Sequence, residues 1–413
     1  MNVHSEIRLN ETEELLLSTA EQLLATDNGQ ARSGERATAI EQIRGAGLPT
    51  RRRERWHYTD LRSLLTGAGA TQLPAPSDGG DVADNLIEIV DGQISIAPSW
   101  PTGLAQSGVV GEHSFGHPLD DTVRLVNSAL LRDELSLNVT GEHSRPFRCK
   151  LAASAGTHAH SRLAIATAVA ANATFVFDRC FAANSFASFG LTLNVAARSH
   201  LTIVVNASDE AAAKALTHIG GEVGEDAKLT VLILNVGDGF SRTELEFSAI
   251  GDRADIGLYG ANCLSGSQVS DTTLVIDHRS LASTSKELFK YVGKGRSKGI
   301  FQGRINVDSE AQKTDAQMMA NALLLSDDAE FLSKPELEIF ADDVQCAHGC
   351  TAGEMDSEQL FYLMARGIPR PEAEKLLILS FVASVFDTLS DQALIDELLE
   401  RVVIWLDREN VDG

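Results

Sequence analysis

The spacing of apolar residues changes character along the chain. Between 10 and 46 they recur at helical intervals, as in NETEELLLSTAEQLL with glutamates in the first turn, which predicts a helical segment over 10–46. From about 137 to 346 short β-type runs follow one another, among them LSLNV, RLAIATAV, TFVFD, LTLNVA, LTIVVN, LTVLILNV, TELEFSAI, TTLVIDH, GIFQGRINV and LEIFADD. Val, Ile, Thr, Leu and Phe dominate them, and Gly, Asn and Asp separate them. No long amphipathic helices intervene, which argues against a doubly wound α/β sheet. A sandwich or barrel would show such runs, but about eleven strands with few two-residue hairpin signals suit a solenoid of stacked β coils at least as well.

After Cys350 the helical period returns. Asp356 with Gln359 has capping-box spacing, Gly367 is placed to end that helix, Pro371 to open a second, and Ser390 to cap a third. The middle helix is apolar on nearly every side, from Leu376 to Phe386. It predicts either burial against the β body or a surface on which another protein docks. Elsewhere, GAGATQLPAPSDGGD (67–81) reads as a linker, NLIEIVDGQISIAP as a short β region, and the segment near 119–135 as a helix. The expected division is a helical region at 1–66, a linker and small mixed region at 67–136, a β core at 137–352 and a helical domain at 353–413.

Charge narrows the function classes. The 413 residues carry 35 Lys and Arg against 58 Asp and Glu, a net −23, which disfavours broad contact with nucleic acid. The amino-terminal segment lacks an unbroken apolar stretch, and Leu376–Phe386 is too short to cross a bilayer, so a cytoplasmic protein without membrane contact is expected. There the five cysteines would be free thiols.

Candidate chemistry is sparse. GKGRSKG (293–299) lacks the Lys-Ser/Thr pair of a phosphate loop, so no nucleotide hydrolysis is expected of the chain itself. Lys286, Lys290, Lys294, Arg296, Lys298 and Arg304 form a basic run, read first as a solvated face and second as a partner-binding patch. RRRERWHY (51–58) sets charges beside Trp56 and Tyr58, as in an arm anchored by its aromatics or an anion site. His158 and His160 make an H-x-H pair, no C-x-x-C pair is present, and the G-x-S-x-G string inside GKGRSKG sits among strands, without the strand-to-helix turn of a nucleophile elbow. Most suggestive is ADDVQCAHGC, where Cys346, His348 and Cys350 alternate. On a strand they share one face, and thiolate with imidazole suits zinc, copper or iron–sulfur chemistry. Three ligands along one strand span about 13 Å, too far for one small ion. A neighbouring pair completed by a second chain is the better geometry, and a polar strand end is the simpler account.

GLPTRRRERWHYTDL, the long stretch from INVDSEAQKTDAQMMANALLLSDD to EQLFYLMARGI, and the helical tail resemble the SufB/SufD family of iron–sulfur cluster assembly scaffolds. The length and the AHG at 347–349 are most similar to its SufD branch. The resemblance implies a mainly β fold, a right-handed parallel β-helix flanked by amino- and carboxy-terminal helical parts. It implies a non-catalytic subunit of a SufBCD complex that pairs with SufB through the β-helix. Carboxy-terminal helices would hold the ATPase SufC and transmit its ATP-driven motion. The family's interface histidine falls on His348 and its preceding cysteine on Cys346, candidate ligands of a transient cluster shared with the partner. Cys350 departs from the family pattern, and no cofactor is expected to be held tightly by the chain alone. Two further readings are a β-helix enzyme acting on polysaccharide, against which the lack of an export signal counts, and a self-associating scaffold of the SufB type.

Overall fold

The computed structural model describes residues 8–27, 31–66, 86–107 and 122–409. Helices α1 (Glu11–Thr26), α2 (Ala31–Ala46) and α3 (Leu61–Leu64) come first, then strands β1 (Ile87–Val90), β2 (Gln93–Ile96) and β3 (Leu104–Ser107), and helix α4 (Thr122–Leu130). The next strands are β4 (Asp133–Val139), β5 (Phe147–Ala153), β6 (His158–Thr167), β7 (Asn172–Phe181), β8 (Phe186–Val195), β9 (His200–Ala207), β10 (Lys214–Val223) and β11 (Lys228–Asn235). They continue as β12 (Phe240–Ala249), β13 (Asp255–Leu264), β14 (Val269–His278), β15 (Thr284–Gly293), β16 (Lys298–Val307), β17 (Asp315–Leu324), β18 (Glu330–Ile339) and β19 (Gln345–Gly353). Helices α5 (Ser357–Ala365), α6 (Arg370–Ala383) and α7 (Gln392–Glu409) close the described chain.

From β4 to β19 successive strands alternate between two sheets and pair in parallel with the strand two places on, a β-solenoid of about eight turns. One sheet runs β19-β17-β15-β13-β11-β9-β7-β5-β1-β2 and the other β18-β16-β14-β12-β10-β8-β6-β4-β3. Paired positions are 26 residues apart at Lys214 and Phe240 but 32 apart at Val307 and Ile339, so coil length varies and no sequence repeat registers.

Both faces of most strands are buried, which is why they read as apolar runs rather than alternating ones. Between the sheets lies a core of Ile, Leu, Val and Phe, including Phe175, Ile203, Val231, Leu258 and Phe301. The outer face of the first sheet, with Val204, Leu232 and Leu234, is covered by Val382, Phe386, Leu398, Val402 and Trp405 of the carboxy-terminal helices and their connection. On the second sheet, Phe186, Leu216 and Phe240 are covered by α1, α2, α4 and the arm with Trp56.

The turns show how the coils stack. Ala170, Arg198, Asp226, Arg253, Ala282 and Lys313 all hold the left-handed conformation, with φ between 52° and 62°. The N–H of each donates to a carbonyl in the turn of the next coil, from Ala170 to Ala197 through to Lys313 to Asp343. Each non-glycine residue there costs roughly 1 kcal/mol of strain, and the ladder of turn bonds offsets it.

Several local expectations need correction. The helical segment over 10–46 is two helices, α1 and α2. The helix expected near 119–135 ends at Leu130, and Asp133 already begins β4, because DELSLNV must pair with β6. The LEIFADD run and the alternating Cys346, His348 and Cys350 fall on separate strands, and Asp342 and Asp343 lie in the turn between them: β18 ends at Ile339 and β19 begins at Gln345. Pro371 is the second residue of α6, and Asp391, rather than Ser390, caps α7 by accepting from Ala393 and Leu394 N–H. The 67–81 linker lies outside the described residues.

Candidate functional site at the open end of the solenoid

Cys346, His348 and Cys350 lie on β19, the edge strand of its sheet. Their neighbours on β17 are Ala316, Met318 and Ala320, all buried core residues, so the three face the solenoid interior at its last coil. Ala347, Gly349 and Thr351 stand over Gln317, Met319 and Asn321 on the other face. No residue of β18 or β19 is fully buried, and Phe340, just past β18, is 69 % exposed. Among the described residues the end of the solenoid is thus an open mouth, with unpaired strand edges as a template for pairing.

Cys346 and Cys350 are half-buried against the core and His348 is exposed. Burial, with the charges of Asp315 and Glu287, pushes the Cys346 thiol up against an opposing hydrogen bond from the Ala316 backbone. A sulfur relay at Cys346 would want a lowered pKa; here the thiol is the stable form and must lose its proton to bind metal. Among the described residues neither ring nitrogen of His348 has a hydrogen-bond partner, and no group of three His, Cys, Asp or Glu side chains is placed to hold a metal ion. The strand presents its donors in a row, and any ion held here needs ligands from elsewhere.

Beneath the mouth lies a group the sequence did not single out. Glu287 on β15 points inward, 1 % exposed, with both carboxylate oxygens lacking hydrogen-bond partners among the described residues. Burial raises its pKa to about 8, with weaker opposition from the Ser285 hydroxyl and its own backbone N–H, which lie near the carboxyl without reaching hydrogen-bond geometry. Lys286-Glu287-Leu288 is unremarkable as sequence; only the strand register shows which of the three points inward.

The other candidates resolve differently. His158 and His160 are buried at the start of β6, with His158 Nδ1 3.1 Å from His160 Nε2 and His160 Nδ1 2.8 Å from Ser188 Oγ. They form a hydrogen-bonded chain in which burial lowers the His160 pKa well below its ordinary value, extended by Asn127 Nδ2, which donates to Ser188 Oγ. The 51–58 arm is anchored: Trp56 is fully buried with the Arg242 guanidinium 3.7 Å from its ring centroid. Arg242 pairs with Asp271 at 2.6 Å and Glu244 at 2.7 Å, and Arg55 pairs with Glu246 at 2.7 Å. Burial would raise the Glu246 pKa, but hydrogen bonds and charges from His218 and Arg55 bring it down to about 2.

The basic run at 286–304 is dispersed. Lys298 pairs with Glu330 and Arg304 with Glu336, while Lys290 Nζ donates to the Phe381 carbonyl at 2.8 Å. GKGRSKG forms the turn between β15 and β16. The apolar excess assigned to the middle carboxy-terminal helix is largely spent on the solenoid, where Ala373, Ile378 and Val382 are buried. Exposed apolar surface sits instead on α5, at Phe361, Tyr362 and Met364, joined by Leu376 of α6. No residue of α5 is buried.

The molecule is thus a parallel β-solenoid clad in helices on both sheets, with Cys and His side chains on its open edge. The sequence model described as "SUF system FeS cluster assembly, SufBD core domain" matches residues 150–381, and the chain belongs to that family of iron–sulfur cluster assembly proteins, most like its SufD members. It is 29 % identical to iron-sulfur cluster assembly protein SufD of Escherichia coli over 91 % of this chain and 93 % of that protein. It is 30 % identical to SufD of Bacillus subtilis over 52 % of this chain and 50 % of that one. A SufBD family protein of Mycobacterium leprae is 23 % identical over 88 % and 90 % of the two chains. Among the described residues no helix is long and apolar enough to cross a membrane.

Proposed function

We propose that the chain is the SufD-type scaffold subunit of a cytoplasmic SufBCD complex, without catalytic activity of its own. The observation that carries this reading is the open last coil, where Cys346 and His348 share the inward face of an unpaired edge strand. SufB pairs with that end, orients the unheld imidazole of His348 and supplies the missing ligands, so that a nascent cluster forms as cargo between the two chains. SufC docks on the exposed aromatic face of α5 and performs the ATP hydrolysis.

The test is cluster absorbance and iron content of the co-expressed three-protein complex, with assembly checked by size. His348→Ala should leave the complex assembled and remove most of the cluster. Cys346→Ala should do less, and Cys350→Ala little. Cluster accumulation by His348→Ala equal to the parent, with loss in Cys350→Ala, would overturn the assignment.

A further inference from the structure

Paired positions place Phe147, Phe175, Ile203, Val231 and Leu258 in one column along the core. The next members of that column are Glu287, Met318 and His348. Five apolar rungs therefore end in a sealed carboxyl two rungs, about 10 Å, below the histidine of the mouth. Burying a carboxyl without partners is costly, and an apolar residue would fill the position as Leu258 does one rung below. The fold does not require this group.

We propose that Glu287 is a positioning residue of the assembly mouth, keeping a proton while the mouth is empty and releasing it to solvent when cationic cargo is seated against Cys346 and His348. The proposal rests on the reading that the mouth receives such cargo. The step is a deprotonation alone: the carboxyl O–H breaks, the proton leaves through the mouth, and no electron moves. In so dry a setting the new negative charge balances the cation, and the protonated acid spares the Cys346 thiolate a like charge at the moment it forms.

The surroundings leave this role to Glu287. On its own strand Tyr291 donates to the Ile300 carbonyl at 3.1 Å and burial keeps it neutral. On β14, His278 is held neutral by burial, which lowers its pKa to about 4 against the pull of Asp277, and it bonds Ser283 and Ser285. Leu258, Met318, Phe301, Phe331 and Leu337 bring no charge from β13, β17, β16 and β18. Asp271 is committed to Arg242, and Asp315 starts β17 beside Cys346. β19 contributes Cys346, His348 and Cys350.

The experiment loads the co-expressed complex with Co(II) alone in weakly buffered solution and counts protons released per ion bound from pH 6 to 9, using an indicator dye. The parent should release about one proton more than Glu287→Gln at pH 7, and the difference should vanish above the pKa of the carboxyl. Glu287→Leu, which copies Leu258, should behave like Glu287→Gln and covers the case in which the amide fails to fold. Equal proton release and the same pH profile in the parent and the folded variants would refute the role of Glu287 while leaving the mouth as the assembly site. Co(II) binding unchanged by His348→Ala and by Cys346→Ala would remove the mouth reading, and the Glu287 proposal with it.

Discussion

The two ends of the solenoid treat exposed strand edges in opposite ways. At the first end β2 folds back antiparallel on β1, β3 folds back antiparallel on β4, and α1, α2 and α4 pack nearby. Buried polar groups there answer one another: Arg36 donates to the Ala129 and Leu131 carbonyls, and His158, His160, Ser188 and Asn127 form a chain. At the other end, among the described residues, no strand folds back, Phe340 lies exposed, and neither carboxylate oxygen of Glu287 has a hydrogen-bond partner. At the closed end the buried histidines and Arg36 find partners within the fold, although Ser136 Oγ on β4 has none among the described residues. The open end leaves strand edges and a buried carboxyl that another molecule would satisfy if the proposed assembly takes place there.

The comparison is tested most severely at the cladding. Trp56→Ala empties a fully buried indole site under Arg242 and should cost about 3–5 kcal/mol in urea unfolding. A cost below about 1 kcal/mol would mean that the arm is not part of the cooperative fold. Phe361→Asp, on the helix with no buried residue, should do the reverse: stability within about 0.5 kcal/mol of the parent, but capture of the ATPase partner weakened at least about tenfold by pull-down titration. Deleting all the carboxy-terminal helices is a poorer test, since it would uncover the apolar outer face of the first sheet.

The smallest effect concerns acid. An unfolded histidine takes up a proton near pH 6.5, whereas burial lowers His160 well below that value and His278 to about 4. Between those limits the unfolded chain binds more protons, so stability falls as pH drops below about 6.5, by roughly 1 kcal/mol per buried histidine at pH 5.5. His160→Gln and His278→Gln should each flatten that slope. An unchanged slope in both would show that neither histidine is held neutral in the fold.

Much of the architecture was legible because doubly covered strands such as LTVLILNV are apolar throughout. The strands that escaped notice, β5, β10, β15 and β17, are rich in Lys, Gly, Ala or Met, as in KALTHIGGEV and DAQMMANALL. Their place is fixed by neighbours in the ladder, not by intrinsic preference. Left-handed turn residues such as Arg198 and Lys313 gave no turn signal, because stacking rather than glycine stabilises them. The shared face of Cys346, His348 and Cys350 followed from strand period alone. Glu287 did not, since its column depends on coil lengths that vary from 26 to 32 residues.

Helices α6 and α7 lie along the outside of the first sheet. Arg148 on β5 grips Glu397, Arg401 reaches Asp178 at 3.6 Å, and Lys290 on β15 holds the Phe381 carbonyl. The β5 attachment is made by α7 and the β15 attachment by α6, and the two strands are five spacings apart, about 24 Å. The helices therefore act as a splint on a beam. A force applied at α5 would be shared across the coils that α6 and α7 hold rather than bending the one nearest to it.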